Sequence, residues 1–195
     1  MSKIPAESVW PPMDPRFTRT PDPLPPNTYL KQPSLLDYGD TCASLEPSCQ
    51  ILTEVEACEI LRRHPHPNIA QYLGCVSKHG RIKGLCFVKY PMTLSKRLKD
   101  PKPFDKALCL QGIERGIGHM HGLGLIHNDL NPSNIMMDGD NPVIIDFDSC
   151  KREGAKLGLK AGTFGWAIDG ADYARRENDI YGLSKIREIL MGRER

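Results

Sequence analysis

The first 38 residues contain no glycine. Backbone that must curl closely over a phosphate group generally needs glycine, so this end of the chain lacks that device. The seven cysteines, at 42, 49, 58, 75, 86, 109 and 150, are odd in number and contain no Cys-x-x-Cys pair. That excludes a zinc cluster or a disulfide framework and leaves buried, reduced thiols as the reading. Long apolar runs are also missing. The longest candidates are Leu85–Val88 and Val143–Ile145, far below the roughly 20 residues needed to span a bilayer. Pro5 interrupts the place where a secretory signal would carry its apolar stretch. Charge is nearly balanced, 26 − 24 = +2, and gives no argument for a polyanionic partner. A soluble intracellular protein, cytoplasmic or nuclear, is expected, with neither a membrane nor a nucleic acid as its partner.

Proline, by contrast, is concentrated: nine of the 17 lie within residues 1–33. Pro11-Pro12, Pro21-x-Pro23 and Pro25-Pro26 oppose helix and interrupt sheet ladders. Residues 1–28 therefore read as an extended arm, either packed as an irregular cover or free as a tail. Beyond it the periodicities improve. Tyr29–Lys31 is long enough for one short strand. Ile51, Val55, Cys58 and Leu61 recur at helical spacing across 50–63. That helix stops before His64-Pro65-His66-Pro67, because each proline disfavours helix in the residue before it. Ile69–Val76 and Gly84–Tyr90 read as strands joined by the Lys78-His79-Gly80 turn. Helices are predicted over 105–122, with Leu110, Ile113, Ile117 and Met120 on one face, and over about 176–190. Between them come short apolar runs, with turn chemistry at Asp138-Gly139-Asp140-Asn141-Pro142.

The chemistry is concentrated in His127-Asn128-Asp129-Leu130-Asn131-Pro132-Ser133-Asn134, with Asp146-Phe147-Asp148 beginning twelve residues after Asn134. Asp129 follows a short apolar strand and sits in a loop, where a carboxylate is free to act. Asn134 can return its amide oxygen to the same cleft, and Asp146 ends the Val143–Ile145 strand. An Asn and an Asp supply hard oxygen ligands suited to Mg²⁺, which takes few protein ligands and completes its shell with phosphate oxygens. A neighbouring carboxylate, Asp129, can accept the proton of an attacking hydroxyl. Together these are the parts phosphoryl transfer requires. Each has a plainer alternative: a turn or cap for Asp129 and Asp146, and a local bond to backbone for Asn134. The shared spacing favours the joint role. His64 and His66 read as turn residues rather than a metal pair, and Gly112, Gly116, Gly118, Gly122 and Gly124 as helix-packing sites.

On these residues the chain resembles the eukaryotic-type protein kinase superfamily. His127–Asn134 is similar to the catalytic loop and Asp146-Phe147-Asp148 to the metal-binding Asp-Phe-Gly. Around them, in order, residues 50–67 resemble the αC helix and the turn after it, and Phe87-Val88-Lys89-Tyr90 the hinge that binds adenine. Gly116–His127 resembles the helix feeding the catalytic loop, Gly162-Thr163-x-x-Trp166 the end of the activation segment, and Asp179–Gly182 the start of the αF helix. The catalytic-loop wording is further similar to short kinase-like proteins of filamentous fungi. The resemblance implies an α+β, bilobal kinase-like fold, with an arm at 1–28, a reduced N-terminal lobe and hinge at 29–90, and a C-terminal lobe at 91–195 truncated after the αF-like helix. It implies ATP and Mg²⁺ as cofactors and a protein hydroxyl as acceptor. Asp129 would be the catalytic base and Asn134 and Asp146 the metal ligands. Lys31 would hold phosphates, with Glu56 as its helix partner, or Glu54 or Glu59 if the register shifts. Phe87, Lys89 and Tyr90 would line the adenine site.

Several positions depart from that pattern. No glycine-rich loop precedes Lys31. Asn128 stands where an arginine usually reads a phosphorylated activation segment, and Lys151–Ala161 contains no Ser, Thr or Tyr. Asn131 replaces the lysine that touches the transferred phosphate, and Asp148 replaces a glycine. No Ala-Pro-Glu follows, only Trp166-Ala167-Ile168-Asp169. Two other readings stay open. One is a small-molecule kinase of the aminoglycoside- or choline-kinase type, favoured by Asn131 and Asp148. The other is a pseudokinase binding module, favoured by the missing glycine loop.

Overall fold

The computed structural model describes residues 6–32, 47–158 and 162–192. Cys42 and the end of the Lys151–Ala161 stretch lie outside them. The arm opens with one helical turn, α1 (Ala6–Val9), placed before the first proline pair. It then runs irregularly to β1 (Thr28–Lys31). The arm is a packed cover rather than a tail: Val9 is buried, and Trp10, Met13 and Phe17 lie against the core.

Helix α2 (Pro47–Arg63) buries the stripe Ile51, Val55, Cys58 and Leu61. Each side chain so removed from water contributes about 1.5–3 kcal/mol. It leads to β2 (Tyr72–Lys78) and β3 (Arg81–Val88). These two and β1 form an antiparallel sheet in the order β1-β3-β2, with Lys31 opposite Leu85 and Cys75 also opposite Leu85 from the other side. The β3 strand begins three residues earlier than its apolar run suggests, because the Lys78–Arg81 pair continues the ladder into the turn.

The second half begins with β4 (Met92–Thr93) and the single turn α3 (Leu94–Arg97), whose first turn is capped by the Thr93 hydroxyl accepting from the Lys96 N–H. Helix α4 (Lys106–Gly122) starts where the Asp105 carboxylate accepts from the Leu108 N–H at 2.8 Å, the usual relief for an orphan amide. Then follow β5 (Leu125–Ile126), a 3₁₀ turn at Pro132–Asn134, β6 (Ile135–Asp138), β7 (Asn141–Ile144), β8 (Lys151–Arg152) and α5 (Arg176–Met191). The β6–β7 hairpin pairs with β4, and β5 with β8. The two halves are joined where Ile69 bridges Ile144 and the Asn68 amide donates to Asn141 Oδ1 and the Pro142 carbonyl. One apolar core runs continuously from α2 through the sheets to α5. Among the described residues no helix is long and apolar enough to cross a membrane.

Candidate phosphotransfer site

A cleft of about 450 Å³ opens between the β1-β3-β2 sheet and the β6–β7 hairpin. Its apolar walls come from Ala70, Phe87, Met136 and Ile145, and Lys31, Glu54 and Asp146 stand in it as charged groups. Lys89 and Tyr90 line it as well, so all three residues expected at the adenine site border the cavity. The Val88 N–H donates to the Gln71 carbonyl and the Lys89 N–H to the Asn27 carbonyl. Pro91 has no N–H. The Tyr90 N–H is therefore the hinge donor left without an acceptor among the described residues.

Lys31 reaches inward from β1. Its Nζ donates to both Glu54 carboxylate oxygens at 2.8 Å and to Asp146 Oδ1 at 2.7 Å. The helix partner is thus Glu54 and not Glu56, which is exposed. Helical geometry explains the correction. Glu54 lies three residues after Ile51 and four before Cys58, on the buried stripe, whereas Glu56 is turned to the opposite face. Burial by itself would lower the Lys31 amine, but the carboxylates of Glu54, Asp146 and Asp148 outweigh it and hold the ammonium well above its ordinary value. Burial pushes the Glu54 carboxyl upward, against the pull of Lys31. Asp148, where a glycine is usual in the resembling pattern, thus adds negative field, and its φ is not positive, so no glycine is required there.

The catalytic-loop residues are held from several directions. Asp129 Oδ1 accepts from the Thr163 N–H at 2.8 Å and from the Asn131 amide at 3.2 Å. Its Oδ2 accepts from the Asn134 amide at 2.9 Å. That bond consumes the amide nitrogen of Asn134 and leaves its oxygen for another group. The Asn134 carbonyl accepts from the Ile145 N–H at 3.0 Å, which places Asn134 beside the residue preceding Asp146. Asp129 and Asn134 stand next to the cleft rather than on its walls. Asn128 and Asp146 both adopt left-handed backbone, with φ of 64° and 65°. Asn and Asp tolerate that conformation better than most residues, and such outliers collect where loops aim side chains at a site.

His127 is fully buried and bonds through Nε2 to the Ile145 carbonyl, a structural role. Asn128 donates to the Ile126 and Ser149 carbonyls and accepts from the Asn178 amide. The Asn178 bond to Asn128 has no local sequence signal, since the two residues are 50 apart. Among the described residues no cluster of three His, Cys, Asp or Glu side chains forms a protein-only metal cage. The Asp146 carboxylate and the Asn134 amide oxygen nevertheless suit Mg²⁺, which shares its shell with phosphate oxygens.

The protein-kinase-domain family model matches residues 42–186, well over half of the chain. The chain belongs to the protein kinase family. Among curated proteins it is 30% identical over 122 residues to the serine/threonine-protein kinase/endoribonuclease IRE1 of Hypocrea jecorina, covering 52% of this chain and 10% of that protein. It is 30% identical over 152 residues to the cysteine-rich receptor-like protein kinase 14 of Arabidopsis thaliana, covering 66% and 22%. It is 28% identical over 110 residues to the dual specificity testis-specific protein kinase 1 of Homo sapiens, covering 50% and 18%. The kinase chain thus spans less than a quarter of the length of each of these relatives.

Proposed function

We propose that this kinase-family chain is an ATP- and Mg²⁺-dependent phosphotransferase acting on a protein serine or threonine hydroxyl. The observation that carries the reading is the Lys31 ammonium in the cleft, held between Glu54 and Asp146 at 2.7–2.8 Å. A cation so placed suits the α and β phosphates of a nucleotide whose base enters along Phe87–Tyr90, with the Tyr90 N–H as the donor to its edge. The metal would be held by Asp146 and the Asn134 amide oxygen, and would supply charge neutralisation on the phosphates. Asp129 would accept the proton of the acceptor hydroxyl as that oxygen takes the phosphoryl group. The Thr163 N–H and the amides of Asn131 and Asn134 orient its two oxygens. Asn131 supplies a donor where the resembling pattern has a cation, so one positive charge is missing from the transferring group.

The proposal includes a reduced N-terminal lobe. Residues 6–31 contain no glycine, and the outer edge of β1 has no strand partner among the described residues. That open edge favours a second reading, a binding module that holds nucleotide without turnover. Purified protein incubated with γ-labelled ATP, Mg²⁺ and either a generic protein acceptor or an aminoglycoside distinguishes the readings. Labelling of the protein acceptor that vanishes in Asp146→Asn supports the proposal. Labelling of the aminoglycoside moves the acceptor to small molecules, and no labelling above the variant leaves the binding module.

A further inference from the structure

Two of the places where the arm is attached to the rest of the molecule matter here, and the second of these bears on the site. Near its start, Ile82 donates to the Pro11 carbonyl, Met13 donates to the Gly80 carbonyl, and the Lys83 ammonium lies 4.3 Å from the Trp10 ring centre. Further on, the Thr18 carbonyl accepts from Cys75 and the Thr20 N–H donates to the Cys75 carbonyl, which lays the arm along the free edge of β2. There Thr18 points at α2. Its backbone N–H donates to Glu59 Oε1 at 2.6 Å and its hydroxyl to Oε2 at 3.0 Å, and Arg62 adds a longer bond at 3.4 Å. Glu59 is only 5% exposed. A buried carboxylate without donors is strongly disfavoured, and Thr18 supplies the two shortest of its bonds. Gly74 shows how close the contact is. A Cβ there would lie 2.6 Å from the Thr20 nitrogen and 2.7 Å from the Arg19 carbonyl carbon, and its φ of +134° is one that only glycine adopts readily.

Glu59 and Glu54 are on the same helix, five residues apart. Fixing α2 through Glu59 therefore also fixes the reach of Glu54 to Lys31. We propose that Thr18 and Glu59 are positioning residues: the arm clamps α2 so that Glu54 holds the Lys31 ammonium at Asp146. The inference rests on reading the cleft as a nucleotide site, but the clamp itself is testable without nucleotide. The clamp stands outside the site's own residues and acts from within the chain.

The test is hydrogen–deuterium exchange of the full chain, comparing α2 with α5 in the parent, Thr18→Val, Thr18→Glu and Thr18→Ser, followed by steady-state kinetics. Val loses the hydroxyl bond, Glu sets a second carboxylate against Glu59, and Ser keeps both donors. Exchange in α2 should rise about fivefold in Val and tenfold or more in Glu, with Ser at the parental rate and α5 unchanged in all. The KM for ATP should rise about fivefold in Val, with kcat and the acceptor KM nearly unchanged, and return to normal in Ser. Unchanged α2 exchange in both Val and Glu, or an equal rise in α2 and α5, would overturn the clamp. A parent that binds no nucleotide would remove the functional reading, and the exchange comparison would still decide the clamp.

Discussion

On the catalytic-loop side of the cleft the fully buried Asp179 carboxylate accepts from the His127 and Asn128 N–H groups at 2.9 and 2.8 Å and bonds to His121 Nε2 at 2.8 Å. Asn128 then ties β5, the Asp146 loop and α5 together through three further bonds. On the β1 side, by contrast, the position of the Lys31 ammonium depends on Glu54 and on an arm that reaches α2 through Thr18. The side assigned to the acceptor is thus fixed by many interlocking bonds. The side assigned to the nucleotide tail depends on only a few, and damage should propagate differently on each.

Asp179→Ala should produce the largest loss. It leaves two buried backbone N–H groups unpaired, and at about 1–3 kcal/mol for each the variant should lose about 4 kcal/mol in denaturant unfolding. Gly182→Ala tests the same side through sterics. The added methyl would lie 2.3 Å from the Leu130 carbonyl oxygen, so about 3 kcal/mol should be lost and the catalytic loop displaced. The β1 side should respond less and in a reversible way. Lys31→Met strands the buried Glu54 carboxylate and should cost about 2 kcal/mol, less than a fully buried pair because the Lys31 side chain is 25% exposed. Adding Glu54→Leu should restore most of that stability while nucleotide binding stays lost. Stability that falls further in the double variant would contradict this reading of the pair.

Thiol reactivity is the mildest probe. Burial pushes Cys75 up to about 11 and Cys109 up to about 12, so neither carries appreciable thiolate at pH 8. Among the described cysteines, exposed Cys49 should be alkylated first under native conditions. Early labelling of Cys75, which lies under the arm, would mean that the arm lifts readily.

Local pattern made much of this legible in the sequence. The α4 stripe and the Asp129–Asn134–Asp146 spacing are short-range features, and α4 and α5 lie where the pattern predicts helices. The Glu54 pairing was also present in the pattern, because the stripe Ile51, Val55, Cys58 and Leu61 already includes position 54. The resemblance by itself favours Glu56. Strand β4 and the turn α3 span two and four residues, too few for any period to show. The Thr18–Glu59 bond joins residues 41 apart, and the Asn128–Asn178 bond joins residues 50 apart. Contacts of that separation leave no periodicity, and only the packed fold reveals them.

The most direct measurement is calorimetric titration of the full chain with adenosine and with ATP, each with and without Mg²⁺, in the parent and in Asp146→Asn. If the Lys31–Asp146–Asn134 group receives a metal-bound phosphate tail, Mg²⁺-ATP should bind at least about tenfold more tightly than adenosine in the parent, an advantage of about 1.4 kcal/mol. That advantage should disappear in Asp146→Asn while adenosine binding is unchanged. Equal affinity for adenosine and Mg²⁺-ATP in the parent, or an ATP advantage that survives the substitution, would contradict it.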